Sequence, residues 1–387
     1  MKRKGNLWNQ IISNKNLFEA IEEVNKSHRW CSPGKPNKTV IEIELHKAEY
    51  VVRLREVIRD FRQHKTIPKR RWDRNAKKWR NIEEPRLWPD QYVHHALIQV
   101  IMPILMRGMD RWTCGSIPGR GAIDGVKVLK KWMKNPKETR WCAECDIRHF
   151  YDTLAPKIVM ERMKRLIKDW RTLDLIWRII KDGIKIGFYT SQWFGNVSLQ
   201  PLDQMIRDIG IHRSIRYLDN FTMFHQNKRK LQNAIKEINK WLCRHKMKLK
   251  GNWQAFKIKN KIEREITKAG MSRVRDRLPN ALGYRFGRGF TILRKNGLLT
   301  IKRDVRRILN KYKRKAYISV KQCQGLLSRL GRLRHCNRVR IYEQYIPVGT
   351  QKLAKDIIRR RTRKEQSRWN LVLAHAISME NLQQQSA

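Results

Sequence analysis

The chain has 387 residues, of which 87 are Lys or Arg and 34 are Asp or Glu, a formal charge of +53 at pH 7. Its 41% hydrophobic residues can build a core shared by two or three subdomains, which excludes a disordered basic tail. Self-repulsion on this scale argues against a merely soluble basic protein and for a polyanionic partner, nucleic acid first.

Residues 1 to about 60 alternate amphipathic helical stretches, NLFEAIEEVNK and HKAEYVVRLREVIRDF, with the loop CSPGKPNKT. TIPKRRWDRNAKKWRNIEEPRLWPD is cationic and strand-like, and Pro89-Asp90 is expected to start the helix QYVHHALIQVIMPILMRGM. His94 and His95 read there as packed or hydrogen-bonded side chains. After the connector CGSIPGRGAIDG, RWCAECDIRHFYDTL reads as a buried strand ending in Asp146. The helix TLDLIWRIIKD should stop at Gly183, a good residue to follow a helix. Another apolar helix runs to Ile209, and RYLDNFTMFH folds as two strands about Asp219-Asn220. Next come the helix KRKLQNAIKEINKWLCRHK, short strands at MKLKGNW and NALGYRF, and a helical, very basic region from about 295. This order implies an α+β fold, an antiparallel sheet with helices on one face.

The seven cysteines (31, 114, 142, 145, 243, 323 and 336) show no ladder of spacings, which predicts reduced thiols and a cytoplasmic setting. Cys142 and Cys145 form a C-x-x-C, but on a strand positions three apart face opposite ways, so buried thiols are expected and not a metal grip. The fourteen Trp suit base stacking as a class, although most large aromatics are core. Without 18 consecutive apolar residues or a signal-type apolar region after MKRKGNLWNQ, neither a membrane span nor export is expected.

Asp146 and Asp219 each end an apolar run at a change of direction. On neighbouring strands they would meet at one edge, and adjacent carboxylates need cations between them. Two Mg²⁺ ions about 3.5–4 Å apart suit such a pair and in-line phosphoryl transfer; two unrelated surface turns are the plain alternative.

The motifs themselves resemble those of bacterial reverse transcriptases, in the family's order, over roughly residues 1 to 345. GNLWNQI…NLFEA is similar to the opening helix of the retron and diversity-generating-retroelement branch. KKWRNIEEPRLWPDQYVHHAL resembles the fingers block, and GSIPGRGAIDGV the block after it. CDIRHFY and RYLDNF resemble the two catalytic motifs, and IGFYTSQ the template-positioning motif of diversity-generating retroelements, with Ile186, Gly187, Ser191 and Gln192. KMKLKGNWQ and ALGYRF fall where later palm motifs and the primer grip would be.

The resemblance implies a right-hand polymerase: an N-terminal helical extension (1–60), fingers (61–135), palm with part of the fingers interleaved (136–290) and a basic helical thumb with a tail (291–387). It implies Asp146 and Asp219 as catalytic metal ligands, with the Ile147 carbonyl and Asn220 beside them. Nucleotide would fall to Lys78, Arg80, Arg120, Tyr151 and Gln192, and template or primer to Gly187, Ser191, Lys250, Leu282, Gly283 and Tyr284. Lys78 and Arg80, two apart on a strand, face the same way and could grip one triphosphate or form a solvated face. Tyr151 would gate the sugar C2′ position or pack in the core. Gly187 would permit close backbone approach; Gln192 could orient a base or cap a helix. The segment SVKQCQGLLSRLGRLRHC has an apolar stripe and a cationic one, suited to a duplex backbone.

One position departs from the family pattern: Asn220 stands where a second acid is usual, keeping the turn and removing one negative charge. The implied enzyme adds deoxynucleotides on RNA with two Mg²⁺, or Mn²⁺ in their place, beside a template or structured non-coding RNA, a DNA primer and product, and an accessory protein or second copy. Its setting would be anti-phage defence or a diversity-generating retroelement. The rival is a weak or inactive RNA-binding scaffold.

Overall fold

The computed structural model describes residues 2–32, 35–73, 78–258, 264–266, 272–274, 277–337 and 339–385. The chain divides into two units: residues 1–109, 151–200 and 363–387, and residues 110–150 and 201–362.

In the first unit, the Asn14–His28 helix starts where the Ser13 hydroxyl accepts from the Asn16 amide, and it buries Leu17, Ala20, Ile21 and Val24 along one stripe. That stripe packs on the helix Tyr92–Met106, where the Asn16 side-chain amide donates to the Ala96 carbonyl (3.0 Å) and the Tyr92 hydroxyl to Asn25 (2.6 Å). A short pair, β1 (Trp30–Ser32) and β2 (Lys35–Pro36), leads into helices Lys38–Leu45 and Lys47–Arg59. The cationic segment forms an antiparallel hairpin of β3 (Ile67–Asp73) and β4 (Lys78–Glu84), on which exposed Trp72 and Trp79 meet edge-on at 5.4 Å. The Lys78 side chain lies outside the described residues.

The expected helix start at Pro89-Asp90 is displaced. Residues Leu87–Gln91 make a π-type turn with a cis Trp88–Pro89 peptide, and the α-helix begins at Tyr92. Asp90 is buried, and accepts from Gln63 (2.6 Å) and His64 (2.7 Å). Gln63 in turn accepts from Nε2 of the fully buried His94 (2.9 Å), whose Nδ1 has no partner among the described residues. Burial pushes His94 down to about 3. Above pH 6.5 this imidazole is neutral whether folded or unfolded; below it, only the unfolded chain takes the proton. Stability is therefore expected to fall with pH below about 6.5, by up to about 1.4 kcal/mol per unit from this group. Urea unfolding at pH 7 and pH 5 measures the slope, and His94→Gln should flatten it.

In the second unit, five strands form one sheet in the order β5-β7-β8-β6-β9: β5 (Thr113–Cys114), β6 (Trp141–Asp146), β7 (Arg213–Tyr217), β8 (Asn220–His225) and β9 (Gln254–Lys257). All pairings are antiparallel except β5 with β7, a parallel edge that strand-by-strand reading did not anticipate. Helices Ala122–Met133 and Lys228–Arg244 pack on the sheet. Phe221 to Phe224 are all buried, so both faces of central β8 are covered, where helices on one face were expected.

A small hairpin, β10 (Arg264–Ile266) with β11 (Ser272–Val274), precedes a three-stranded sheet of β12 (Asn280–Ala281), β13 (Tyr284–Phe286) and β14 (Thr291–Leu293). The basic helices Lys295–Lys313 and Val320–Leu333 follow, the second opened by a reciprocal cap between Ser319 and Gln322. Leu129, Trp132, Phe224, Phe286, Val305, Leu326 and Leu330 share one core. Helices Val339–Tyr345 and Thr350–Gln385 close the chain. From residue 363 the last helix belongs to the first unit, where Trp369, 2% exposed, meets Trp30 edge-on at 5.7 Å.

All seven cysteines are free thiols. Cys142 and Cys145 are both buried, and burial pushes Cys145 up to about 12. Cys31 and Cys243 are exposed.

Candidate active site

β6 and β8 are neighbours in register, Cys145 opposite Phe221 and Asp146 opposite Asn220. The β7–β8 hairpin pairs Tyr217 with Asn220, so its two-residue turn is Leu218-Asp219, one residue earlier than expected. Leu218 takes a left-handed conformation (φ 56°), sparsely populated for a branched side chain. Its carbonyl is held by Nη1 of Arg216 at 2.9 Å. The rest of that guanidinium forks onto Asp203, with Nε 2.7 Å from Oδ1 and Nη2 2.7 Å from Oδ2, and Asp203 also accepts from Thr113 (3.1 Å). Arg216 is 1% exposed and Asp203 7%. Sequence reading missed this clamp. Its signal is a guanidinium on a strand that is otherwise being buried, which requires a partner; nothing in the sequence says which acid supplies it.

Past its last paired residue, the β6 chain runs beside residues 248–250: Arg148 N–H donates to the Lys248 carbonyl and Lys250 N–H to the Asp146 carbonyl, both at 2.8 Å. The Ile147 N–H donates to the Asp219 carbonyl (3.2 Å), tying the turn to the end of β6. The Asp146 and Asp219 carboxyls come within hydrogen-bonding reach of one another. Burial first, and the Asp146 charge next, push Asp219 up to about 6. Asn220 donates its side-chain amide to Asp219 Oδ1 (2.9 Å). The Lys250 ammonium, expected at primer or template, bonds to Asp146 Oδ2 at 2.6 Å instead. Asp146 Oδ1 is buried with no hydrogen-bond partner among the described residues.

Two adjacent carboxyls, with one buried oxygen that has no donor among the described residues, are a donor set that fits a hard divalent cation. No cluster of three His, Cys, Asp or Glu able to hold a metal occurs among the described residues, in keeping with Asn at 220.

The other expected site residues fall in several places. Arg120 is half-buried before the Ala122–Met133 helix and donates to the Asp110 carbonyl. Leu282 and Gly283 form the tip between β12 and β13, both at positive φ. Tyr284 is buried and donates to the Arg332 carbonyl (2.8 Å), so it packs within its unit. In the first unit, Arg80 lies on β4 opposite Arg71. Tyr151 lies in the helical turn Phe150–Thr153. In the helix Tyr189–Ser198, Gln192 is exposed, and buried Ser191 donates to the Lys185 carbonyl (2.7 Å). Gly187 has φ +122°, and the backbone it approaches is that of Glu83 on β4. Its neighbour Ile186 accepts from the Glu83 amide (2.8 Å).

The sequence pattern of the reverse transcriptase (RNA-dependent DNA polymerase) family matches residues 67–256. The chain carries a reverse transcriptase domain. That span runs from β3 to β9 and contains both aspartates, the Arg216 clamp and Lys250, so the α+β architecture is that of a right-hand polymerase with the five-stranded sheet as its palm. Protein YkfC of Escherichia coli (strain K12) is 25% identical over 134 residues, 31% of this chain and 35% of YkfC; the chain therefore matches about a third of that relative's length. Apo telomerase from Candida tropicalis superposes with a TM-score of 0.40 at 12% identity, over 58% of this chain and 47% of that one.

Proposed function

We propose that the protein is an RNA-directed DNA polymerase that extends a DNA primer on RNA with deoxynucleoside triphosphates. The observation that carries this reading is the meeting of Asp146, at the end of β6, with Asp219, in the turn before β8, within the reverse transcriptase domain. Asp146, Asp219 and the Ile147 carbonyl would hold Mg²⁺, or Mn²⁺ in its place, with Asn220 shaping the turn. A divalent ion bound there supplies charge stabilisation for the transferring phosphoryl group and a more acidic attacking hydroxyl. The chain's own part is to hold the acids adjacent and fixed by the ladder bonds at Ile147 and Lys250.

By motif, Lys78, Arg80, Arg120, Tyr151 and Gln192 serve the nucleotide, and Gly187, Ser191 and the Leu282-Gly283-Tyr284 tip serve template and primer. Fingers, palm and thumb take residues 61–135, 136–290 and 291–387 after the N-terminal extension. The charge of +53 supports a structured RNA as a standing partner, in anti-phage defence or a diversity-generating retroelement, with an accessory protein or second copy. No helix among the described residues is long and apolar enough to cross a membrane.

Primer extension tests the reading. Asp146→Ala and Asp219→Ala are each expected to lower incorporation by about 10²–10⁴-fold while the protein stays folded. Equal incorporation by parent and variants would leave the RNA-binding scaffold, the reading that Asn220 favours, as the function.

A further inference from the structure

Lys250 is gripped to Asp146 at both ends. Its amide donates to the Asp146 carbonyl (2.8 Å) and its ammonium to Oδ2 (2.6 Å), so the side chain reaches the acid from a fixed ladder position. Among the described residues, a neutral amide at 220 donates to Asp219 and the Lys250 ammonium pairs with Asp146, so these four side chains together carry a single net negative charge. One divalent ion already overcompensates that charge. A second would bring a further double positive charge against Lys250, in a chain at +53.

We propose that Lys250 is a built-in cation of the catalytic centre: its ammonium takes the charge-balancing place of a second divalent ion, and the nucleotide-free protein binds one such ion on the remaining oxygens of Asp146 and Asp219. This deepens the metal-site reading given above and rests on it. Asn220 and Lys250 are then two parts of one arrangement, since a neutral residue at the turn and a fixed cation on the facing strand both lower the number of ions the acids can hold. Any further ion must come with the negative charge of a triphosphate.

The test is Mn²⁺ binding to the full, nucleic-acid-free chain at constant ionic strength, with bound and free ion separated by electron paramagnetic resonance. The parent is expected to take one Mn²⁺ per chain. Lys250→Met should take up a second ion or bind the first about tenfold more tightly. Lys250→Arg should titrate like the parent, because the charge and not the side-chain shape matters. Lys250 is half-buried and its main-chain bond survives substitution, so these variants should fold; Lys250→Gln repeats the charge loss with a polar side chain. If Lys250→Met and Lys250→Gln titrate like the parent while Asp146→Asn and Asp219→Asn lose Mn²⁺, the role given to Lys250 is wrong and the metal site stands. If the aspartate variants also bind Mn²⁺ unchanged, the metal-site reading falls with it.

Discussion

Replacing Arg216 with methionine is expected to destabilise the unit of residues 110–150 and 201–362 by about 3–5 kcal/mol, the cost of leaving a buried acid without its partner. Asp203 would be stranded at 7% exposure with only Thr113 and its other local contacts to satisfy it. The turn also loses its tether, because Nη1 of Arg216 is what holds the Leu218 carbonyl in a left-handed conformation. The effects separate in two further variants. Arg216→Lys keeps a charge near Asp203 but cannot fork onto the acid and reach Leu218 together, so it should retain part of the stability and lose more of the activity. Asp203→Leu combined with Arg216→Met removes both charges, and should cost less than Arg216→Met alone. Urea unfolding of the four proteins gives the stabilities. A double variant no better than the single would mean that the pair is not the source of the loss.

Gly187→Ala is expected to destabilise the other unit by about 2–4 kcal/mol, from backbone strain and overpacking together. A Cβ at Gly187 would stand 2.5 Å from the Glu83 carbonyl oxygen and 2.6 Å from Ile82 Cγ2, and the first of these is backbone that cannot swing aside. The φ of +122° adds strain for any L residue. Gly183 supplies the comparison: its φ is +105°, but nothing lies within 4 Å of its added Cβ, so Gly183→Ala should cost only about 1–2 kcal/mol. Thermal unfolding of the two variants side by side separates strain from collision. Equal losses would mean that the contact with β4 contributes nothing.

Much of this arrangement is legible in the sequence because local chemistry and the fold agree. The run WCAECD alternates and is β6; the apolar stripe of SVKQCQGLLSRLGRLRHC lies on the helix Val320–Leu333; Gly183 follows its helix with positive φ. Asp146 and Asp219 were placed by ending apolar runs, and strand pairing brings them together. What was not legible rests on long-range contacts. The bend at Asp219 shifts by one residue because Arg216 stabilises a leucine where turn statistics favour Asn or Gly. The burial of Asp90 was not legible either, because its proximity to Gln63 and His64, more than twenty residues earlier, is invisible locally. Lys250 reads as one lysine among many, and only the ladder bond across 104 residues brings it to Asp146. Gly187 also lies against the backbone of β4, a contact that its motif alone does not reveal.

The thiols have a practical side. Two of the seven are exposed, Cys31 in one unit and Cys243 in the other, while Cys336 is half-buried and Cys114, Cys142, Cys145 and Cys323 are buried. Burial also keeps Cys142 and Cys145 protonated at neutral pH, which slows alkylation. A maleimide dye pair added to the unaltered chain would settle mainly on residues 31 and 243, giving a native fluorescence ruler for following how the separation of the units responds to RNA and nucleotide.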